Sequence, residues 1–497
     1  MKKFLKIILY QTYLLQFEDY DFKRFFSSIK EMLSGGVKMK SGKKIRWTMK
    51  IILLFKLSVI LEIFFASLIS FFIFSAIVWQ IIFSVIFSAV VFFVFSPLFF
   101  LFLLISNALF FPFDFVFKKI IIFAARMKIR RYRKNLKIIG ITGSFGKTTM
   151  KEAISVVLAT KFNILKTEGN QNTTLGISKL ILKKLNKNTQ IFVVEMAAYS
   201  VGDIRKICKF VSGTDISVLT GINESHFERF KNINNTIKTK FEIVEGCNNG
   251  LIVLNGDNDY VVQNFEKYAS KKNAIFYGRN RKLSKYWTGK VEFDENGLNL
   301  SFKLWKGDRE IGFFKLPFLS EYIVNIIMAC FIVCGRMRMS EKEIIDGVNQ
   351  LKPAEHRFQP IRARNDILII DDSYNGNPDG VSQAILTLAK FKNRRKIYIT
   401  PGLAEVGAKE EELHFNIGKK LSGVADLVIL EDNKACAYIK RGLIKNDFPE
   451  KYIMVFDSIY EAHKEIADGK ILKENDVALF QRGRSQFLFN LIEAFRR

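Results

Sequence analysis

The chain has 497 residues, of which 49% are hydrophobic and 14% are aromatic, and its formal net charge is +28. This length is enough for about three domains that each bury a core. The cysteines show no metal-type spacing, which argues against a cysteine-ligated metal site and indicates reduced thiols in a core. The five cysteines are Cys208, Cys247, Cys330, Cys334 and Cys436.

Residues 51–113 are almost wholly apolar and rich in Phe. Residues 57–78 and 81–105 are each about as long as the ~20 residues that a membrane-spanning helix needs. Trp79-Gln80 stands between them as a turn. The block begins too late and runs too far for a removed signal peptide, although a buried soluble core is an alternative. The pattern predicts two transmembrane helices within a membrane region of residues 1–135.

The positive charge is concentrated around this apolar block. Residues 1–137 contain 22 Lys and Arg against 6 Asp and Glu, and basic runs stand on both sides, at 38–50 and 126–137. The positive-inside rule then places both ends of the hairpin, and the rest of the chain, in the cytoplasm at the cell membrane. Basic runs also occur in nucleic-acid-binding proteins, but beside an apolar hairpin they favour anionic lipid headgroups. We therefore expect membrane lipid as a partner, and no nucleic acid.

A phosphate-binding loop follows the membrane region. Residues 140–149 read Gly-Ile-Thr-Gly-Ser-Phe-Gly-Lys-Thr-Thr, between an apolar strand and a helix. In such a loop the backbone N–H groups, the helix N-terminus and the Lys147 ammonium surround a polyphosphate, and the Thr148 hydroxyl suits Mg²⁺. The usual pattern has Gly where this chain has Ile141, which makes this a shorter variant. The loop predicts ATP binding through Gly143, Ser144, Gly146, Lys147, Thr148 and Thr149.

Polar residues follow two later strands of the same predicted parallel sheet. Glu195 ends the apolar strand 191–195, and His226 lies in a Gly-containing loop after strand 216–219. Ligands bind at the carboxyl edge of such sheets, so both side chains are candidate Mg²⁺ ligands. An acidic strand end is often only a helix cap, and a lone loop histidine is usually a surface residue, so both alternatives stay open.

The rest of the chain predicts a small antiparallel insertion and then a second sheet. Residues 285–316 alternate without a helical period, and residues 320–334 have a helical pattern. From residue 353, strands at 367–371, 396–400 and 427–430 alternate with helices at about 378–390 and 410–422, which predicts a doubly wound, Rossmann-like domain. The fold class is α/β, with a membrane region at 1–135, an ATP-binding domain at 136–352 and a C-terminal domain at 353–497.

Several motifs in this order resemble the Mur ligases, ATP-dependent amide-forming enzymes of peptidoglycan synthesis in the cell wall. The resemblance rests on the loop, Glu195, His226 and the sequence Thr-Lys-Phe-Glu-Ile at 239–243, and it covers about residues 137–497. Three further signatures are most similar to the MurF branch of the family. They are Thr-Glu-Gly-Asn-Gln-Asn at 167–172, Asp-Asp-Ser-Tyr-Asn-Gly-Asn-Pro at 371–378, and Ala-Glu-Val-Gly at 404–407 followed by His414.

The resemblance implies a role for each matching residue. Lys147 and Thr148 would hold ATP phosphates and magnesium, and Glu195 and His226 would bind two magnesium ions. Lys240 would be carbamylated, because a carbamate is an oxygen ligand and an ammonium is not; an ordinary solvated lysine is the alternative. The other implied residues are Arg357 and Asp372 near the γ-phosphate, Asn325, Tyr374 and Asn377 for the nucleotide, and Thr167, Asn170 and Asn172 for the substrate.

The implied reaction adds D-alanyl-D-alanine to UDP-N-acetylmuramoyl-tripeptide through an acyl phosphate. Members of the MurF branch begin with a uridine-nucleotide-binding domain, whereas this chain has the predicted hairpin there. The sequence also departs from the family pattern at 195–199, 316–322, 375–377 and 482–484. Two alternatives stay open: a Mur-like ligase with a lipid-linked or poly-γ-glutamate acceptor, and a membrane-tethered nucleotide switch without ligase activity. The oligomeric state is not predicted.

Overall fold

The computed structural model divides the chain into two compact units, residues 1–121 and 122–497. Each unit is described separately below. The residues that the structure describes are 2–17, 20, 25–26, 28–30, 45, 48–73, 99–169, 171–198, 200–223, 232–270, 272–294, 298–353, 355–373, 378–403, 409–483 and 488.

The first unit is helical. Its helices are α1 (Lys2–Phe17), α2 (Met49–Ile73) and α3 (Phe99–Tyr132), the last of which continues into the second unit. The Ser58 hydroxyl on α2 donates to the Ser106 hydroxyl on α3 at 2.9 Å, and their apolar side chains pack around it. Among the described residues, α3 alone is long and apolar enough to cross a membrane.

The two predicted spans match these helices only in part. Helix α2 begins before residue 57, and α3 continues well past residue 105 to Tyr132. The extension of α3 follows from its sequence, since Ala, Met, Lys and Arg after Phe123 are good helix formers. Residues 74–98, including the predicted turn at Trp79-Gln80, lie outside the described residues, so the hairpin stays a prediction.

The second unit contains a nine-stranded sheet, which we call the central sheet. Its order is β2-β3-β1-β4-β5-β6-β7-β8-β9. Neighbours from β2 to β7 pair in parallel, whereas β7-β8 and β8-β9 pair antiparallel. The predicted antiparallel insertion therefore extends the same sheet. The strands are β1 (Lys137–Thr142), β2 (Ile164–Lys166), β3 (Ile191–Glu195), β4 (Thr214–Leu219), β5 (Cys247–Asn255), β6 (Ala274–Tyr277), β7 (Ser284–Phe293), β8 (Leu300–Lys306) and β9 (Arg309–Leu316).

Helices cover both faces of the central sheet, because its β-branched strands send alternate side chains to opposite faces. In β1, for example, Ile139 and Ile141 join one apolar cluster and Ile138 joins the other. The helices are α4 (Lys147–Ala159), α5 (Thr174–Lys184), α6 (Asp203–Phe210), α7 (Ile233–Glu245), α8 (Asp259–Ala269), α9 (Tyr322–Arg336) and α10 (Glu341–Val348).

The same unit contains a six-stranded sheet, the C-terminal sheet, in the order β10-β11-β15-β12-β13-β14. All pairs are parallel except β10-β11, which confirms the doubly wound prediction. The strands are β10 (Gln359–Arg362), β11 (Leu368–Asp372), β12 (Arg395–Thr400), β13 (Leu427–Glu431), β14 (Ile453–Phe456) and β15 (Asp476–Gln481). The helices are α11 (Pro378–Leu388), α12 (Glu410–Ser422), α13 (Lys434–Ile444) and α14 (Ile459–Ala467), and the two short 3-10 turns are Arg364–Asp366 and Glu450–Tyr452.

All five cysteines are free and buried, as predicted. Burial raises the pKa of the Cys208 and Cys436 thiols to about 12, so neither is a reactive thiolate.

Candidate active site

The phosphate-binding loop lies between β1 and α4, where only glycine fits at two positions. Gly143 has φ of 154° and Gly146 has φ of 71°. A Cβ at Gly143 would lie 2.0 Å from Thr220 Oγ1, and one at Gly146 would lie 2.2 Å from the Tyr322 hydroxyl oxygen. The backbone thus takes a turn that side chains would block, and it presents N–H groups at the start of α4.

Lys147 begins α4 and folds back over the loop. Its Nζ donates to the carbonyl oxygens of Gly143 at 2.8 Å and Ser144 at 3.2 Å. Burial lowers the pKa of Lys147, the Glu195 carboxylate opposes this, and the Arg357 cation adds to it. Lys147 and Glu195 from the central sheet and Arg357 from the second half of the unit therefore share one electrostatic environment.

Glu195 lies at the carboxyl end of β3, directly beside β1, with Ile141 as its register partner. It is only 3% exposed. Its N–H donates to Thr167 Oγ1 at 2.9 Å, and Asn172 Nδ2 donates to its Oε1 at 3.3 Å, whereas its Oε2 has no hydrogen bond. The sheet thus brings Glu195 together with Thr167 and Asn172.

A residue that sequence analysis missed completes this cluster. Lys151 is fully buried, and its Nζ lies 3.4 Å from Glu195 Oε2 and 3.3 Å from Glu152 Oε1. Lys151 follows Lys147 by four residues and therefore lies on the same face of α4. That spacing places Lys151 beside Lys147 on the helix, but the sequence alone does not reveal its partner Glu195.

Lys240 lies in α7, whose first turn is capped by the Asn232 side chain. It is 3% exposed, and burial lowers its pKa to about 7. The nearby Lys147 lowers this pKa further, whereas Glu242 and Asp203 oppose the shift. Burial therefore favours the neutral amine form of Lys240. Lys238, two residues earlier, is exposed.

The carboxyl group of Asp372, at the end of β11, is held within the C-terminal sheet. Its Oδ1 accepts from the Phe358 N–H at 3.1 Å, and its Oδ2 accepts from Gln481 Nε2 at 2.6 Å. Burial raises the pKa of Asp372 to about 7. Its neighbour Asp371 pairs with His356 Nδ1 at 2.6 Å.

These contacts fix the backbone on both sides of Arg357. His356 and Phe358, the residues next to it, have positive φ of 61° and 52°. Such values are uncommon for residues other than glycine, so the surrounding hydrogen bonds must hold this segment in place.

Asn325 lies in α9 and contacts a second residue that sequence analysis missed. Its Nδ2 donates to Asp257 Oδ2 at 2.9 Å, just after β5. Asp257 follows a parallel strand directly, as Glu195 ends one, and this position was the available signal.

Several predicted residues lie outside the described residues: His226, Asn170, Tyr374, Asn377 and the segment 404–407. Within the described part of the chain, no group of three or more His, Cys, Asp or Glu residues lies together as a metal site. His414 has a local role, since its Nε2 accepts from the Leu403 N–H at 2.8 Å and its Nδ1 lies 2.6 Å from the Glu410 carbonyl oxygen.

Comparisons with known proteins agree on one family. Residues 141–334 match the Mur ligase middle domain, and residues 356–481 match the Mur ligase, glutamate ligase domain. A relative from Bacillus subtilis (strain 168), UDP-N-acetylmuramoyl-tripeptide–D-alanyl-D-alanine ligase, is 28% identical over 363 residues, which are 72% of this chain and 75% of the relative.

Solved structures show the same fold. MurF from Acinetobacter baumannii has a TM-score of 0.66 at 22% identity and covers 76% of this chain and 80% of its own. The MurF ligase from Thermotoga maritima in complex with ADP has a TM-score of 0.64 at 24% identity, with 76% and 83% covered.

Proposed function

Because the chain belongs to the Mur ligase family, we propose that it is an ATP-dependent ligase that joins D-alanyl-D-alanine to UDP-N-acetylmuramoyl-tripeptide and releases ADP and phosphate. The similarity to the Bacillus subtilis enzyme named for this reaction supports the choice of substrates. One observation supports the proposal most directly: Lys147 begins the helix after the phosphate-binding loop, and Glu195, Lys240 and Arg357 all lie within electrostatic reach of it.

Magnesium fits this donor set. Thr148, Glu195, His226 and a carbamate on Lys240 would hold two ions. The buried Glu195 Oε2 accepts no hydrogen bond, although the Lys151 ammonium lies 3.4 Å away, and a carboxylate oxygen of this kind is a ligand that a divalent cation prefers. When bound, magnesium supplies positive charge beside the transferring phosphoryl group.

The lowered pKa of Lys240 supports its carbamylation. Only a neutral amine attacks CO₂, and burial provides that form near pH 7. The nitrogen lone pair forms a bond to carbon, one C–O π bond becomes the carboxylate, and the nitrogen releases a proton.

The chain's own residues then neutralise charge on the transferring phosphoryl group and exclude water from the site. The substrate carboxylate attacks the γ-phosphorus, the bond to ADP breaks, and Lys147 and Arg357 neutralise charge on the transferred group. The amine of D-alanyl-D-alanine displaces phosphate from the acyl phosphate. The half of the unit that carries Arg357 would close over the loop and exclude water, which would otherwise hydrolyse this intermediate.

We also propose that the first unit anchors the enzyme to the cytoplasmic face of the cell membrane. Large apolar side chains on α3 are strongly exposed, including Phe113 at 72% and Phe117 at 63%. Such a surface favours a lipid environment. The same surface favours a second candidate function, which is ligation to a lipid-linked acceptor.

The test is phosphate release by the detergent-solubilised protein with Mg-ATP, D-alanyl-D-alanine and UDP-N-acetylmuramoyl-tripeptide, with product mass measured. A product heavier by one dipeptide residue supports the proposed function. Phosphate release that depends on a lipid-linked acceptor instead would support the second candidate. Absence of both activities would reject a ligase role.

A further inference from the structure

We infer that Glu321 is a positioning residue that, through Lys390 and Arg279, holds the half of the second unit that carries the C-terminal sheet against the half that carries the phosphate-binding loop. Glu321 lies in the segment 316–322, where the sequence departs from the Mur ligase pattern. The expected effect on turnover rests on the proposed function, but the structural part of the inference does not.

Glu321 joins the two halves of the second unit by two ion pairs. Its Oε1 lies 2.7 Å from Lys390 Nζ, just after α11 of the C-terminal sheet, and its Oε2 lies 2.5 Å from Arg279 Nη2, after β6 of the central sheet. Burial alone would raise the pKa of Glu321, but these two cations bring it below its ordinary value. Glu321 is therefore an anion between two cations.

Lys390 has a second contact with the central sheet. Its Nζ lies 3.8 Å from the centre of the Phe293 ring, at the end of β7. A cation over an aromatic face is stabilised in addition to its ion pair. Lys390 is thus held by the central sheet from two sides.

The neighbours of Glu321 contact both functional regions. Leu319 is 1% exposed and belongs to the apolar cluster of the C-terminal sheet. The Tyr322 ring lies 5.5 Å from the Phe145 ring of the phosphate-binding loop and covers Gly146. Three residues within positions 319–322 therefore connect the loop to the second half of the unit.

The same network continues to the proposed nucleotide site. The Arg279 N–H donates to Asp257 Oδ1 at 2.7 Å, and Asp257 Oδ2 accepts from Asn325. Contacts thus run from Asn325 through Asp257 and Arg279 to Glu321 and Lys390.

The experiment compares Glu321→Gln with Glu465→Gln in the full chain in detergent. Glu465 is a matched control, because it pairs with Lys470 at 2.9 Å, is equally exposed at 31%, and contacts only the C-terminal half through that pair. Dyes on Lys187→Cys and Lys419→Cys, both exposed, report the distance between the two halves, since the native cysteines are buried.

We expect Glu321→Gln to broaden the distance distribution and Glu465→Gln to leave it unchanged. Where turnover is measured, kcat should fall roughly threefold for Glu321→Gln with little change in the KM for D-alanyl-D-alanine, and Glu321→Asp should restore part of it. The effect should shrink in high salt, because the pairs are partly exposed.

An unchanged distance distribution would overturn the inference, whether or not the protein is a ligase. A broadened distribution with kcat unchanged would overturn the positioning role alone. If the unmutated protein and all variants are inactive, the proposed function is rejected. If Glu321→Gln still broadens the distance distribution in that case, the ion-pair connection remains supported.

Discussion

The two sheets of the second unit handle buried charge in opposite ways. At the edge of the central sheet burial acts on a cation, Lys240, and lowers its pKa to about 7. At the edge of the C-terminal sheet burial acts on an anion, Asp372, and raises its pKa to about 7. Both carboxylate oxygens of Asp372 accept hydrogen bonds, from Gln481 and the Phe358 N–H, whereas Glu195 Oε2 accepts none and lies 3.4 Å from the Lys151 ammonium. The edge of the central sheet is thus suited to binding external ions. At the edge of the C-terminal sheet, the carboxylate instead holds the neighbouring backbone in place.

The largest effect should come from Lys240→Ala. We expect loss of turnover and partial rescue by a short carboxylic acid, which replaces the oxygen ligand that a carbamate supplies. The exposed Lys238→Ala is the matched control and should keep activity. Labelling with ¹³CO₂ should give a carbamate signal that grows as pH rises through about 7, because the neutral amine becomes dominant. Full activity of Lys240→Ala would show that the buried lysine beside the central sheet has no role in turnover, and it would contradict the contrast drawn between the edges of the two sheets.

Lys147→Ala should come next, with a fall in ADP formation of roughly 10²–10³-fold, since it removes a preorganised charge from the transferring phosphoryl group. The control is Lys161→Ala, two residues after the C-terminal end of α4, where Lys161 forms an exposed pair with Glu343 at 2.9 Å. Equal losses in the two variants would show that charge at the loop has no special role.

Asp372→Asn should change the pH dependence of stability. The folded chain keeps a proton on Asp372 up to about pH 7, whereas the unfolded chain releases it near 3.8. The folded state thus binds more protons between these values, and the unmutated protein should lose stability as pH rises from 4 to 7. Relative to Asp372→Asn the loss should be on the order of 2 kcal/mol, because the side chain is partly exposed.

Thermal midpoints from pH 4.5 to 7.5 measure this difference. Asp426→Asn, which removes an exposed carboxylate paired with Lys396 at 3.0 Å, is the control. Parallel pH profiles for the unmutated protein and Asp372→Asn would contradict the prediction.

The smallest effects should come from two buried threonines, one at the end of a strand in each sheet. Thr167 Oγ1 accepts from the Glu195 N–H at 2.9 Å, and Thr400 Oγ1 accepts from the Gly402 N–H at 3.0 Å and also hydrogen-bonds the Tyr398 side chain. Valine at either position should cost about 1 kcal/mol of stability for each hydrogen bond that it removes. Thr167→Val should in addition raise the magnesium concentration needed for half-maximal activity, and Thr400→Val should not. Titration of activity with MgCl₂ separates the two, and identical titrations would remove the functional contrast.

The sequence predicted much of this arrangement because strong local patterns carried it. Strands β1 and β3 are short apolar runs, and the loop between β1 and α4 has glycines where side chains would clash. Helix α12 begins and ends where its pattern predicted, at Glu410 and Ser422. Strands β10, β14 and β15 were not predicted, because β10 and β14 are only four residues long and the position of β15 depends on distant partners.

The site residues that sequence analysis missed were missed for the same reason, because their partners are distant in sequence. Lys151 looks like an ordinary helix lysine in a chain with 76 Lys and Arg, and its importance appears only when β3 places Glu195 within 3.4 Å. Glu321 likewise gains its meaning from Arg279 and Lys390, which are distant in sequence. Ion pairs between remote segments leave no periodic signal.

The place of β15 in the C-terminal sheet affects how the protein emerges from the ribosome. Strands β11 and β12 follow each other in the chain but do not pair; β15, the last of the described strands to be synthesised, lies between them. Until it arrives, both neighbours have a row of unpaired backbone groups, and such open edges promote association between nascent chains. The strands of the central sheet do not depend on β15, since all nine of them precede β10 in the chain. Chaperone binding during synthesis should therefore be concentrated on the C-terminal half.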